Sequence, residues 1–143
     1  MITSKNGVDL IKRFEGLKLE AYLCPAKVWT IGYGTTENIK EGDIITESQA
    51  EQLLIKDLAR FEIQLNRAMC GYMLTQNQFD ALISFLYNVG IGNFKVSTLL
   101  RKILMGAENE KIGNEFKRWV YADGKKLDGL IRRRKAEQEL FDK

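Results

Sequence analysis

The 143-residue sequence predicts a mainly helical α+β fold of two lobes, with a small antiparallel sheet inserted after the first helix. Three observations carry this prediction. Apolar residues recur at helical spacing before position 15 and after position 46. Between them, β-branched and aromatic residues stand among Gly, Pro and Asn, the pattern of short strands and turns. Thr46 with Gln49, and Thr75 with Gln78, have the spacing of helix-opening capping boxes. The length is about one domain's worth of chain. A single domain over 1–143 is expected, its sheet lobe at about 16–45 and its helical lobe at about 1–15 and 46–143.

Val8, Leu10, Ile11 and Phe14 predict a short amphipathic helix over about 3–14 that ends at Glu15-Gly16. From Leu19 to Ile45, strand-prone Tyr22, Val28, Trp29, Ile31, Tyr33 and Ile44 alternate with turn residues Pro25, Gly32, Gly34, Asn38 and Gly42. Thr46 opens a long helix through about Met69, with Leu53, Leu54, Leu58, Phe61 and Leu65 as its apolar stripe. The segment after Thr75, FDALISFLYNVG, is apolar nearly all round and stops at Gly90, which suits a helix through the centre of the core. Only helical patterns are read beyond it, at about 94–105, 108–121 and 128–142. A cleft between the lobes is the default site.

Composition excludes several kinds of chemistry. The chain has no histidine, and Cys24 and Cys70 stand far apart, so neither a metal site nor a Ser-His-Asp or Cys-His nucleophile is expected. Acid–base work falls to carboxylates, Lys, Tyr or Cys. A net charge of +3 is too small to mark a nucleic-acid binder. Arg132-Arg133-Arg134-Lys135 is the one basic run, and on a helix it spreads through about 300° instead of forming a stripe. Of these charges, those not in the cleft are expected on a solvated face. Trp119 and Tyr121 are expected to pack in the core, with sugar stacking as the alternative. The N-terminus lacks the apolar centre of a signal peptide, and no window approaches about 18 apolar residues, so synthesis in the cytoplasm without membrane insertion is expected.

Glu15 is the first candidate for chemistry, because it follows Phe14 at the junction of the two lobes. A carboxyl flanked by apolar groups in a cleft holds its proton more tightly, which suits a general acid; the plainer reading is a solvated helix-end glutamate. Nine positions on stands Cys24, and six further is Thr30 within Thr30-Ile31-Gly32-Tyr33-Gly34. With the segments at 75–103, Phe116 to Lys125 and Gly129 to Arg134, this framework resembles the phage-type lysozymes, glycoside hydrolase family 24, over nearly the whole chain. That family's pattern is Glu, then Asp nine positions on, then Thr; here the Asp position holds Cys24.

The resemblance implies an endolysin that hydrolyses the β-1,4 bond between N-acetylmuramic acid and N-acetylglucosamine of peptidoglycan. It implies a monomer with no cofactor, bound to the glycan strands. The missing N-terminal apolar segment predicts that the enzyme awaits a holin-type lesion or cell rupture to reach the periplasmic wall. Glu15, Cys24 and Thr30 become the catalytic candidates. Arg132, with Tyr33 and Thr35, is expected to bind substrate or pair with Glu15. Three readings of Cys24 stay open: a thiolate acting as base or nucleophile beside Thr30, a bystander thiol while Thr30 positions water, or a substitution that leaves a silent wall-binding protein. A lytic transglycosylase using Glu15 alone is a further alternative. Cys24 followed by Pro25-Ala26 resembles a recurring variant of the family. Lys27 stands where the family generally carries Gly, so it strains the hairpin turn, adds a basic group at the cleft rim, or is simply an exposed loop lysine.

Overall fold

A computed structural model describes residues 1–143. The elements are α1 (Lys5–Glu15), β1 (Lys18–Leu23), β2 (Trp29–Gly32), α2 (Glu47–Ala68), α3 (Gln76–Val89), α4 (Ile91–Lys95), α5 (Thr98–Leu104), α6 (Asn109–Phe116), β3 (Tyr121–Ala122), β4 (Lys125–Lys126) and α7 (Asp128–Phe141). The fold is the mainly helical α+β arrangement that the sequence predicts, with its first hairpin directly after α1. No helix is long and apolar enough to cross a membrane. Cys24 and Cys70 are free thiols.

Local chemistry fixes the element ends. The Ser4 hydroxyl accepts from the Asn6 amide to open α1, and Gly16, at φ 70°, closes it with its N–H on the Lys12 carbonyl. That left-handed residue stops the helix one position after Glu15, so the carboxylate sits at the helix end. Both capping boxes form, at Thr46–Gln49 and Thr75–Gln78, each with side chain and backbone bonded reciprocally.

β1 and β2 pair antiparallel with Tyr22 opposite Thr30 and Leu23 opposite Trp29, and the register is irregular between Lys18 and Tyr22. At the hairpin tip, Lys27 donates its backbone N–H to the Cys24 carbonyl at 2.8 Å and takes φ 60°, a left-handed conformation that glycine adopts without cost. The strain expected of a lysine there is present. Lys27→Gly should raise unfolding stability by up to about 1 kcal/mol, since relief of strain outweighs the added freedom of the unfolded chain. Urea unfolding midpoints check this, and a lower midpoint for the variant contradicts it.

Every residue of α3 from Gln78 to Leu86 is buried, as befits a central helix that packs against α1, α2 and α7. Phe85 is fully buried and meets Phe94, Phe116 and Trp119 edge-on, at centroid distances of 6.4, 5.3 and 5.5 Å. Trp119 packs against the core as expected, whereas Tyr121 is exposed. The reason is a feature the helical reading overlooked. Residues 121–126 form a short hairpin, and Asp123 and Gly124 supply the two positive-φ positions of its turn. Tyr121 therefore lies on a strand over the surface instead of ending a helix.

Candidate active site

Glu15 is half-buried at the end of α1, where two recesses meet. One, of about 250 Å³, is lined by Glu15, Gly34, Asp57, Arg60, Tyr87 and Asn88 among others. The second, of about 700 Å³, runs from Glu15 past Arg13, Phe14, Asp128, Arg132 and Arg133. Gly34 takes φ +101°, and a side chain there would stand 3.5 Å from both Glu15 Oε2 and Tyr87 Oη, inside the smaller recess.

The apolar flank expected around Glu15 is replaced by a cation. Arg133 Nη1 donates to Glu15 Oε1 at 2.5 Å, and Arg133 is itself buried. This corrects the pairing expected of Arg132, which is exposed and lines the larger recess. Successive helical residues point about 100° apart. Arg133 shares its face with Glu137 and Phe141, four and eight positions on, and that face turns inward. Arg134 is buried too, so only part of the basic run is solvated.

Arg133 is fixed on every nitrogen. Nε donates to Glu137 Oε1 at 3.1 Å and Nη2 to the Ser84 carbonyl at 3.0 Å, which leaves Nη1 for Glu15. Glu137 is fully buried, accepts from the Ser84 hydroxyl at 2.7 Å, and lies 2.9 Å from Arg134 Nε. Desolvation pushes the Glu137 carboxyl up from its ordinary value, against the pull of both arginines. Burial likewise lowers Arg134 to about 10, although its guanidinium stacks 4.9 Å from the Phe85 ring and bonds Asn88.

Cys24 is half-buried at the end of the β1–β2 hairpin. Its thiol is held below its ordinary value chiefly by a hydrogen bond from the Val28 backbone N–H, with help from Ala26 and the Thr30 hydroxyl, against the opposing effect of burial. Thr30 is buried on β2 opposite Tyr22, and its hydroxyl donates to the Val28 carbonyl at 3.0 Å. Tyr22 joins the two halves of the site: burial raises its phenol, and the charges of Glu15 and Cys24 both add to that rise. Cys24 and Thr30 lie on the β1–β2 hairpin, and neither lines the two recesses that meet at Glu15.

Tyr33 and Thr35 do not present themselves to a ligand. Tyr33 belongs to the core, and its carbonyl accepts from the Tyr87 hydroxyl at 2.8 Å. Thr35 is buried, with its hydroxyl committed to Asp57 Oδ2 at 2.6 Å. Both are structural supports of the smaller recess, which corrects the substrate-contact expectation. Asp57, held also by Arg60 at 2.8 Å, is a lining residue that sequence reasoning missed. A signal was available: Leu54, Asp57, Leu58 and Phe61 fall at i, i+3, i+4 and i+7, so this carboxylate sits within the apolar stripe of α2.

A sequence model of the phage lysozyme family matches residues 12–137. An endolysin of Acyrthosiphon pisum secondary endosymbiont phage 1 is 46% identical, over 99% of each chain. An endolysin of Bacillus phage PZA is 43% identical over 99% of this chain, which spans only 55% of that relative's length. Among solved structures, a variant of P22 lysozyme aligns with a TM-score of 0.87 at 34% identity, over 100% of this chain and 99% of the other.

Proposed function

The chain belongs to the phage lysozyme family, and on that premise we propose that it is a phage or prophage endolysin that cleaves the β-1,4 bond between N-acetylmuramic acid and N-acetylglucosamine and so lyses its host. The observation that carries this reading is a half-buried carboxyl, Glu15, set where two recesses meet and gripped by a buried arginine. Glycan strands extending through both recesses would pass the scissile bond across Glu15. The protein acts as a monomer without a cofactor, and it gains the periplasmic wall through a holin-type lesion in the inner membrane.

In this mechanism Glu15 gives its proton to the leaving glycosidic oxygen as the bond to the anomeric carbon breaks. Cys24, as thiolate, takes a proton from water, and the water oxygen bonds to that carbon; the Thr30 hydroxyl, its own proton on the Val28 carbonyl, accepts from the water and positions it. A cysteine can do this near neutral pH only if its thiol ionises more readily than usual, the direction in which the Val28 amide moves it. The lowered thiol supports a working Cys24 over a silent one.

Activity should follow a bell in pH, rising as Cys24 ionises and falling as Glu15 loses its proton. Cys24→Asp, ionised across the acidic and neutral range, should keep or raise activity and extend it to lower pH. Cys24→Ser should flatten the rising limb. Equal rates for Cys24→Ser and wild type from pH 5 to 9 would remove the thiolate from the mechanism. The overall reading is tested by adding purified protein to outer-membrane-permeabilised Gram-negative cells: the suspension should clear while reducing ends appear on the glycan. A well-folded protein that clears nothing would sink it.

A further inference from the structure

We infer that Glu137 is a positioning residue for Glu15: it fixes Arg133 in place and offsets the charge of Arg133 and Arg134, so that Glu15 can keep the proton it must donate. The inference rests on the reading of Glu15 as general acid.

Charge count within the cluster makes the argument. Arg133 touches Glu15 directly, and Arg134 is close enough for the Glu15 charge to be felt at its guanidinium. A buried cation in contact with a carboxyl, and a second held behind it through Glu137, favour the ionised form of that carboxyl, which is the wrong form for an acid. Glu137, buried between them and bonded to Arg133, brings the net charge opposite Glu15 from +2 to +1. The same carboxylate and Ser84 occupy Nε and Nη2 of Arg133, so the guanidinium can present only Nη1 to Glu15. Stability does not require this arrangement, because well-packed apolar residues often serve a buried site as well as an ion cluster.

The other groups around Glu15 come from every neighbouring element. Tyr22 of β1 and Tyr87 of α3 feel its charge. Asp57 and Arg60 of α2 line the smaller recess; Arg13 of α1 and Asp128 and Arg132 of α7 line the larger one. None of them contacts Glu137 by hydrogen bond or ion pair, so their field on Glu15 is common to wild type and variants.

The test is an NMR titration of the Glu15 carboxyl carbon, read beside the pH profile of kcat. In Glu137→Gln the midpoint should move to lower pH by about one unit, and kcat near neutral pH should fall with the protonated fraction of Glu15. Glu137→Asp, which keeps the charge, should return the midpoint most of the way to that of wild type. Arg134→Gln removes a cation and should move it the other way, to higher pH, which keeps the inference testable if Glu137→Gln does not fold. A Glu137→Gln protein that melts lower but titrates as wild type would reduce Glu137 to a structural role and overturn the inference, as would an unmoved midpoint in Arg134→Gln. If Glu15→Gln proves fully active, the general-acid reading fails instead, so the two failures are distinguishable.

Discussion

Replacing Glu15 with Gln is expected to slow wall digestion at least about 100-fold, because a positioned general acid contributes about 10² to 10⁴ in rate. The substitution keeps the size of the side chain and an oxygen that accepts from Arg133 Nη1, so the grip of α7 on the end of α1 survives. What is lost is the transferable proton and the charge that pairs with Arg133, so the activity loss should appear in kcat with KM near that of wild type, while the melting temperature falls by no more than loss of that one ion pair explains. Turbidity loss of permeabilised cells, run beside a thermal melt, measures both. Equal loss of activity and of folded protein would mean that the variant reports stability, and undiminished activity would remove Glu15 from the reaction.

The second large effect concerns the core. Phe85→Ala is expected to cost about 3–5 kcal/mol, the range for truncating a buried phenylalanine. The upper part of that range is expected because three aromatic rings, from α4, α6 and the segment just after α6, and the Arg134 guanidinium of α7 close on Phe85. No single one of them can shift to fill the void without leaving the others. Equilibrium urea unfolding gives the number directly. The consequence reaches the site, since Ser84 and Asn88, which hold Arg133 and Arg134, flank Phe85 on α3. A cost below about 1 kcal/mol would mean that the core collapses around the gap and that α3 is less constrained than its burial indicates.

Much of this was legible in the sequence because the physics involved is local. The two Thr-x-x-Gln boxes announce helix starts through bonds three residues long, and Gly16 and Gly90 announce helix stops through their positive φ. Glu15 and Lys27 were legible for the same reason, one as the residue before a helix stop and the other as a side chain in a turn that suits glycine. What escaped depends on rotation and distance. Arg132 and Arg133 are neighbours in the chain, and only the phase of α7 decides which one turns inward; the spacing of Arg133, Glu137 and Phe141 contained that phase. The hairpin over 121–126 escaped because strands of two residues have no periodicity to read, although Asp123-Gly124 is a strong turn signal. The commitments of Tyr33 and Thr35 to Tyr87 and Asp57 join residues 54 and 22 positions apart, and nothing local encodes them.

Hydrolysis of peptidoglycan glycan with Glu15 as the acid is read out by mass spectrometry of soluble fragments from purified wall, digested in parallel with wild type and Glu15→Gln. Hydrolysis predicts wild-type fragments ending in reducing N-acetylmuramic acid, and almost none from the variant over the same time. Fragments ending in 1,6-anhydro-muramic acid would show a transglycosylase instead, and bound protein with no soluble fragments would show a wall-binding protein that has lost its chemistry; either result contradicts the account.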